Sequence, residues 1–199
     1  MVNMIKSIYS SNKDIMKAIS ILYVEQFDLD PTYSKGIIYK GVNKPLNISD
    51  IAPHGDYKKA DCRNLDFKPG CLHSIMFDPP FLAGGGERGI MHDRFSSFKN
   101  VNEVLKFYND SLTEFLRILT KKGILVFKCQ DLLNGRVQTV SHCEIYNMAL
   151  RLGFYARDLF VLQAKSRPTP HNVTKQVHSR KFHSFFWVFE KIAMKNKTF

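Results

Sequence analysis

Residues 78–81, Asp78-Pro79-Pro80-Phe81, follow the apolar run CLHSIMF and stand just before a glycine cluster, GGGERG, at 84–89. A residue before proline is held extended, and each proline fixes φ and removes a backbone N–H. If the apolar run is a buried strand, it ends in a rigid row of acceptors: one carboxylate and the carbonyls of the prolines, with an aromatic face beside them. Such an edge suits a planar substrate that carries an amino group. Asp78 and the carbonyl of Pro79 or Pro80 would each accept an N–H bond, and the Phe81 ring would stack on the substrate. The competing reading is structural, with Asp78 capping the next helix and the prolines merely ending a strand. The glycine cluster also has two readings. It is a mobile loop over the site, with Arg88 or Arg94 touching phosphate, or it is a flexible surface loop. A dinucleotide fingerprint belongs after the first strand and at a helix start, so this cluster is out of place as one.

Those residues need a scaffold, and the hydrophobic pattern predicts one. SSNKDIMKAISILYV opens with Ser/Asn cap candidates and spaces Ile15, Ile19 and Leu22 as a helix does. EQFDLD reads as a short strand ending at Asp30, PTYSKG as a turn, and KPLNISDIAP as a second strand ending near Asp50. KKADCRNLDF reads as a short strand with a loop, and CLHSIMFDPP as a buried strand. NEVLKFYNDSLTEFLRILTKKG repeats apolar residues at three- and four-residue steps, which predicts a long helix closed by Lys121, Lys122 and Gly123. GILVFKCQ is the next strand and HCEIYNMALRLGF the next helix. DLFVLQA and FHSFFWVFEK are the last two strands. Strand and helix alternate, so the expected class is α/β, with a mostly parallel sheet and helices on both faces. No helix separates the last two strands, which predicts one antiparallel strand at that edge. In such a sheet, ligands bind outside the carboxyl ends of the strands, where Asp78 falls.

The chain carries 29 Lys+Arg against 18 Asp+Glu, a net charge of +11. That balance points to a polyanionic partner, with nucleic acid ahead of an anionic membrane surface. Lys165, Arg167, Lys175, Arg180 and Lys181 lie in a segment, KSRPTPHNVTKQVHSRKFH, that has no acidic residue. It reads as a phosphate-contacting arm or as a solvated charge run. His171, His178 and His183 have no carboxylate or cysteine at ligand spacing, so no metal site is expected. The cysteines at 62, 71, 129 and 143 form no CxxC pair, which fits thiols in a reducing cytoplasm. No apolar run reaches the roughly 18–20 residues that span a bilayer. The first 20 residues lack the apolar core and cleavage site of a signal peptide.

Asp78-Pro79-Pro80-Phe81 after an apolar strand resembles the DPPY/F/W catalytic motif of the S-adenosylmethionine-dependent amino-methyltransferases, which methylate N6 of adenine or N4 of cytosine. Upstream, Asp30-Pro31-Thr32-Tyr33-Ser34-Lys35-Gly36 is similar to the family's D-P-F-x-G-x-G loop, which holds the methionine end of the cofactor. Asp30, Pro31 and Gly36 agree with it, while Thr32 and Ser34 replace its Phe and Gly. Some small members carry a D-x-T-Y-G-x-G loop, closer to this one. The resemblance further implies that Asp50 contacts the cofactor ribose. It puts Asp61, with Cys62 beside it, at the adenine amino group. The motifs occur in the family's order and cover roughly residues 25–130.

The resemblance implies a Rossmann-like methyltransferase fold with a seven-stranded, mostly parallel sheet and an antiparallel edge strand. It implies S-adenosyl-L-methionine as cofactor and transfer of a methyl group to N6 of adenine, in DNA ahead of RNA. The alternatives are an RNA or N4-cytosine methyltransferase with the same core, or a degenerate subunit that only binds nucleic acid. Residues 1–199 read as one domain without a separate target-recognition domain, leaving loops 82–104 and 165–183 to contact substrate. The expected setting is the cytoplasm of a microbe or of a virus-infected host cell.

Overall fold

A computed structural model describes residues 4–81, 98–134, 137–166 and 176–192. Among these residues the chain runs β1 (Ile8–Tyr9), α1 (Asn12–Leu22), β2 (Leu29–Asp30), β3 (Asn47–Asp50), β4 (Lys58–Lys59) and β5 (Leu72–Phe77). It continues through α2 (Val101–Ile118), β6 (Leu119–Cys129), β7 (Leu132–Asn134), β8 (Val137–Thr139), α3 (Ser141–Leu152), β9 (Phe154–Gln163) and β10 (His183–Lys191). Eight strands form one sheet in the order β1-β9-β10-β6-β5-β2-β3-β4, and β7 pairs with β8 apart from it.

Every pair in the main sheet is parallel except those of β10, which is antiparallel to both β6 and β9. The α/β class with one antiparallel strand is as expected, in two details differently placed. The antiparallel strand is interior, because β10 returns from β9 and inserts between β9 and β6. The edge left free on β9 is then covered by β1, an eighth strand too short to show a periodicity. Since β9 and β6 run in parallel, the segment after β9 leaves the sheet at the same end as Asp78.

The central strands are buried on both faces, as a parallel sheet requires. Ile75 and Phe77 of β5 pack into a core under α2 and α3, while Met76 between them packs into a second core under α1. Phe77 meets Phe115 of α2 and Phe127 of β6 edge-on, with ring centroids 4.8 and 4.9 Å apart. This stacking fixes the end of β5 just before Asp78.

Helix α1 begins where the sequence predicts, with the Ser11 side chain accepting from the Asp14 N–H. Helix α2 ends earlier than expected, at Ile118, and Leu119 opens β6. Lys121, Lys122 and Gly123 therefore belong to the strand. The cause lies across the fold: the Lys191 ammonium of β10 donates to the Leu116 and Leu119 carbonyls, at 2.6 and 2.7 Å, and satisfies the helix end from outside. The register of β5 on β6 shifts here, and a Cβ on Gly123 would come within 2.9 Å of the Thr120 carbonyl oxygen.

Candidate active site at the carboxyl ends of three strands

Strands β2, β5 and β6 are neighbours, and Phe77 pairs with Phe127 across the last two. Asp30 ends β2, Asp78 follows β5, and Lys128 stands one residue past Phe127 on β6. Three charged groups thus meet at adjacent strand ends. All three line a cavity of about 400 Å³, whose walls also include the 32–38 segment, Asn12, His54 and residues 79–81. That volume is in the usual range for a small-molecule site.

Thr32 ties two of the strand ends together. Its N–H and hydroxyl donate to Asp30 Oδ1, at 2.8 and 3.0 Å, and its Oγ1 accepts from the Asp78 N–H at 2.9 Å. The Tyr39 hydroxyl donates to Asp30 Oδ2 at 2.6 Å. A hydroxyl at position 32 is what bridges the cofactor-type loop to the DPPF edge, a link the phenylalanine of the related motif could not make. Burial pushes the Asp30 carboxyl up to about 7, against the opposing hydrogen bonds from Tyr39 and Thr32 and with a further push from the Asp78 charge. Tyr39 is in turn raised, by burial first and by Asp30 second.

The 30–36 loop turns through two left-handed residues. Ser34 adopts φ +48° and Gly36 φ +61°, so Ser34 takes a left-handed conformation that glycine would adopt without strain. A Cβ on Gly36 would lie 2.3 Å from the Tyr33 hydroxyl oxygen and would be strained at this φ, so a side chain here would have to displace Tyr33. Tyr33 stacks on Tyr39 and meets Tyr57 edge-on, and the Tyr57 hydroxyl donates to the Ser34 carbonyl at 2.6 Å. Pro31 is buried in this loop, and Thr32, Tyr33, Ser34 and Gly36 all line the cavity.

At the DPPF edge, Asp78 Oδ2 accepts from the Lys128 ammonium at 2.8 Å. The Pro80 carbonyl accepts from the Tyr108 hydroxyl at 3.1 Å. The Pro79 carbonyl accepts no hydrogen bond among the described residues, so it is the freer of the two proline acceptors. Phe81 is half-buried, packs against the α2 side of the core and lines the cavity.

The remaining expected cofactor residues lie elsewhere. Asp50 ends β3 and accepts from the Ser34 and Ala52 N–H groups, at 3.1 and 2.9 Å. Asp61 is held by the Arg63 guanidinium in a two-pronged ion pair, and this pairing keeps its carboxyl below the usual carboxylate range. Cys62 is buried beside Ser111, and burial pushes its thiol up to about 12. A thiol so placed packs and does not react. None of the three lines the cavity described above.

Of the basic residues, Arg88, Arg94, Arg167 and Lys175 lie outside the described residues, as does GGGERG. Lys165 and Arg180 are exposed and Lys181 half-buried, and the Arg180 guanidinium sits 5.5 Å from the Phe182 ring centre. The Ala164 N–H donates to the Phe182 carbonyl, closing the base of this segment at the carboxyl end of β9. No group of three His, Cys, Asp or Glu among the described residues is placed to hold a metal, and no described helix is long and apolar enough to cross a membrane.

Sequence reasoning missed Lys128, Asn12 and His54. Lys128 had a signal, since GILVF is apolar and a lysine directly after it stands at a strand's carboxyl end. Asn12 had none. Its Oδ1 is buried without a hydrogen-bond partner among the described residues and its residue lines the cavity, an acceptor awaiting a donor.

No protein-family model matches the chain, and no curated protein does. Solved structures do. TrmN from Thermus thermophilus is 17% identical over 90% of this chain and 49% of its own, with a TM-score of 0.54. A chain of the complex containing the Haloferax volcanii Trm112 methyltransferase activator is 11% identical over 92% of this chain and 90% of its own, with a TM-score of 0.56. A second Thermus thermophilus protein, provisionally named a DNA modification methylase and solved with S-adenosyl-L-methionine, is 20% identical over 70% of this chain and 56% of its own, at a TM-score of 0.48. The chain thus spans about half the length of both Thermus proteins. The architecture is the Rossmann-like fold of methyltransferases.

Proposed function

We propose that this protein is an S-adenosylmethionine-dependent methyltransferase acting on the N6 amine of adenine in nucleic acid, with DNA as the polymer. The observation that carries the reading is the shared cavity: the 30–36 loop and the Asp78-Pro79-Pro80-Phe81 edge line the same space. Ser34 itself adopts the left-handed conformation that glycine would take at this position of the related motif, which favours an enzyme over a degenerate binding subunit.

The residues present fit the cofactor. Asn12 offers an unpartnered acceptor, Asp30 a carboxyl and Lys35 a cation, the groups an amino-acid moiety needs. Asp50 and Asp61 are the proposed ribose and adenine contacts. When bound, the cofactor supplies an electrophilic methyl group on a sulfonium. The chain's own contribution is orientation. Asp78 and the Pro79 carbonyl would accept the two N–H bonds of the substrate amine, turning its lone pair out of conjugation with the ring. Phe81 would stack on the base. As the nitrogen gains its methyl group it gives up a proton, for which Asp78 is the adjacent acceptor. A base inside a duplex hides this amine, so a duplex substrate would have to be flipped. The basic segment after β9 leaves the sheet at this end and would hold phosphate.

The test is incubation with cofactor and DNA or RNA, digestion to nucleosides and mass spectrometry. N6-methyladenine from DNA is the expected product. Methylation confined to RNA or to cytosine would move the substrate to the runner-up readings. No methylated base in either polymer, together with no cofactor binding by calorimetry, would leave only a binding module.

A further inference from the structure

We propose that Lys128 is a substrate-reading residue: with Asp78 it forms a donor–acceptor pair complementary to an exocyclic amine beside an unprotonated ring nitrogen, the N6/N1 edge of adenine. The inference rests on the functional reading above and specifies what the same site recognises.

The pair is built into the sheet. Phe77 and Phe127 are register partners on β5 and β6, so the next residue on each strand, Asp78 and Lys128, must emerge side by side. On its other side Lys128 is paired with Phe186 of β10, whose ring lies 5.6 Å from the ammonium. The Lys128 side chain is only 12% exposed, against 25% for Asp78, so neither is a free surface charge. Both nevertheless line the cavity.

The hydrogen-bond balance shows what remains available. An ammonium has three donors, and Lys128 gives one of them to Asp78 Oδ2. Asp78 Oδ1 receives no hydrogen bond among the described residues. The cavity therefore meets a free acceptor, Oδ1, and the remaining N–H donors of Lys128, held next to each other by the 2.8 Å contact between Nζ and Oδ2. A carboxylate oxygen and an ammonium held next to each other in this way suit two hydrogen bonds to neighbouring nitrogens of one planar edge. Adenine matches, with N6–H facing Asp78 and N1 facing Lys128; cytosine shows the same pattern at N4 and N3, so the pair reads an amine beside a bare ring nitrogen, and the polymer assay decides between the two bases. The pairing edge of guanine does not, because its N1–H would point a donor at the ammonium. Leaving a buried donor unmatched is how polar sites reject near-isosteres. A lysine that merely balanced the charge of Asp78 would not distinguish these edges.

The polymer that the wild-type protein methylates is the probe, prepared with adenine or with 1-deazaadenine at the modified position. Replacing N1 by C–H removes the acceptor and makes the amine a better nucleophile, so intrinsic reactivity works against the predicted loss. The expected result is a drop of roughly 10–100-fold in wild-type kcat/KM on 1-deazaadenine, the size of one lost base contact. Lys128→Met should lose a similar factor on adenine and show no further loss on the analogue, whereas Lys128→Arg should keep the discrimination. Equal wild-type rates on the two substrates overturn the inference, and this comparison needs no variant to fold. Discrimination surviving in Lys128→Met also overturns it. Wild-type protein that methylates no polymer at all would instead overturn the functional reading, and this inference with it.

Discussion

Asp30 and Asp78 face the cavity, whereas Asp50 and Asp61, farther along the same side of the sheet, do not: Asp50 holds backbone N–H groups of the 30–36 loop and of its own loop, and Asp61 is bonded within its own loop. Asp50 accepts two backbone N–H groups, and Asp61 is clasped by Arg63. The cavity carboxylates are bonded through side chains that link one strand end to the next: Thr32 between Asp30 and Asp78, and Lys128 beside Asp78. A carboxylate at a strand end is therefore not one kind of residue. Where its partners are side chains of neighbouring strand ends it shapes the cavity, and where they are backbone N–H groups or a residue of its own loop it shapes a loop.

Breaking the cavity side should have the largest effect. Asp78→Ala removes the anionic acceptor for the amine, and turnover should fall at least the roughly 10²–10³-fold typical of a lost electrostatic contact in a site. Cofactor affinity by calorimetry should stay nearly unchanged, and retained turnover would show that the acid is structural. Thr32→Val keeps the shape and deletes the hydroxyl, leaving the Asp78 N–H without its acceptor. Urea unfolding should show a loss of roughly 1–3 kcal/mol, the cost of orphaning a half-buried polar group. Unchanged stability would mean that the strand ends are not coupled through this residue.

The sequence made the acids of both regions legible and was silent about their partners. Asp78 and the 30–36 loop were readable because prolines, glycine and an apolar run mark a strand end locally. Lys128 escaped notice because its partner lies 50 residues away and meets it only once β5 and β6 pair. The same physics divides the fold. Long periodic segments such as α2, β5, β6, β9 and β10 were evident. The two-residue β1 and the three-residue strands β7 and β8 are too short to carry a pattern. The end of α2 was misplaced because its cap, Lys191, comes from the last strand of the fold.

The cavity side can also be distinguished by pH. Burial places the Asp30 carboxyl near 7, against 3.8 for the ordinary group. Between those values the folded protein binds more protons at this site than the unfolded chain, so stability falls as pH rises through the window and levels off above it. One such group sets a limit of about 1.4 kcal/mol per pH unit. Comparing urea unfolding from pH 4 to 8, Asp30→Asn should lack the part of this slope that the wild type shows. An identical slope in both would place the titration elsewhere.

The smallest effect is expected on the other side of the comparison. Asp61 is a third exposed in its side chain and Arg63 more so, and an ion pair of that exposure contributes about 0–1 kcal/mol. Asp61→Ala should therefore leave the unfolding midpoint within that margin, and added salt should shrink the difference further, since exposed charges are screened. Its cofactor affinity is the informative quantity. If Asp61 serves the adenine amino group as proposed, calorimetry should show weaker binding at nearly unchanged stability, the reverse of Asp78→Ala, where turnover falls and affinity stays. Loss of stability with intact affinity would instead make the Asp61–Arg63 pair a loop clasp and nothing more. Asp50 would then be the one carboxylate outside the cavity still proposed to touch the cofactor.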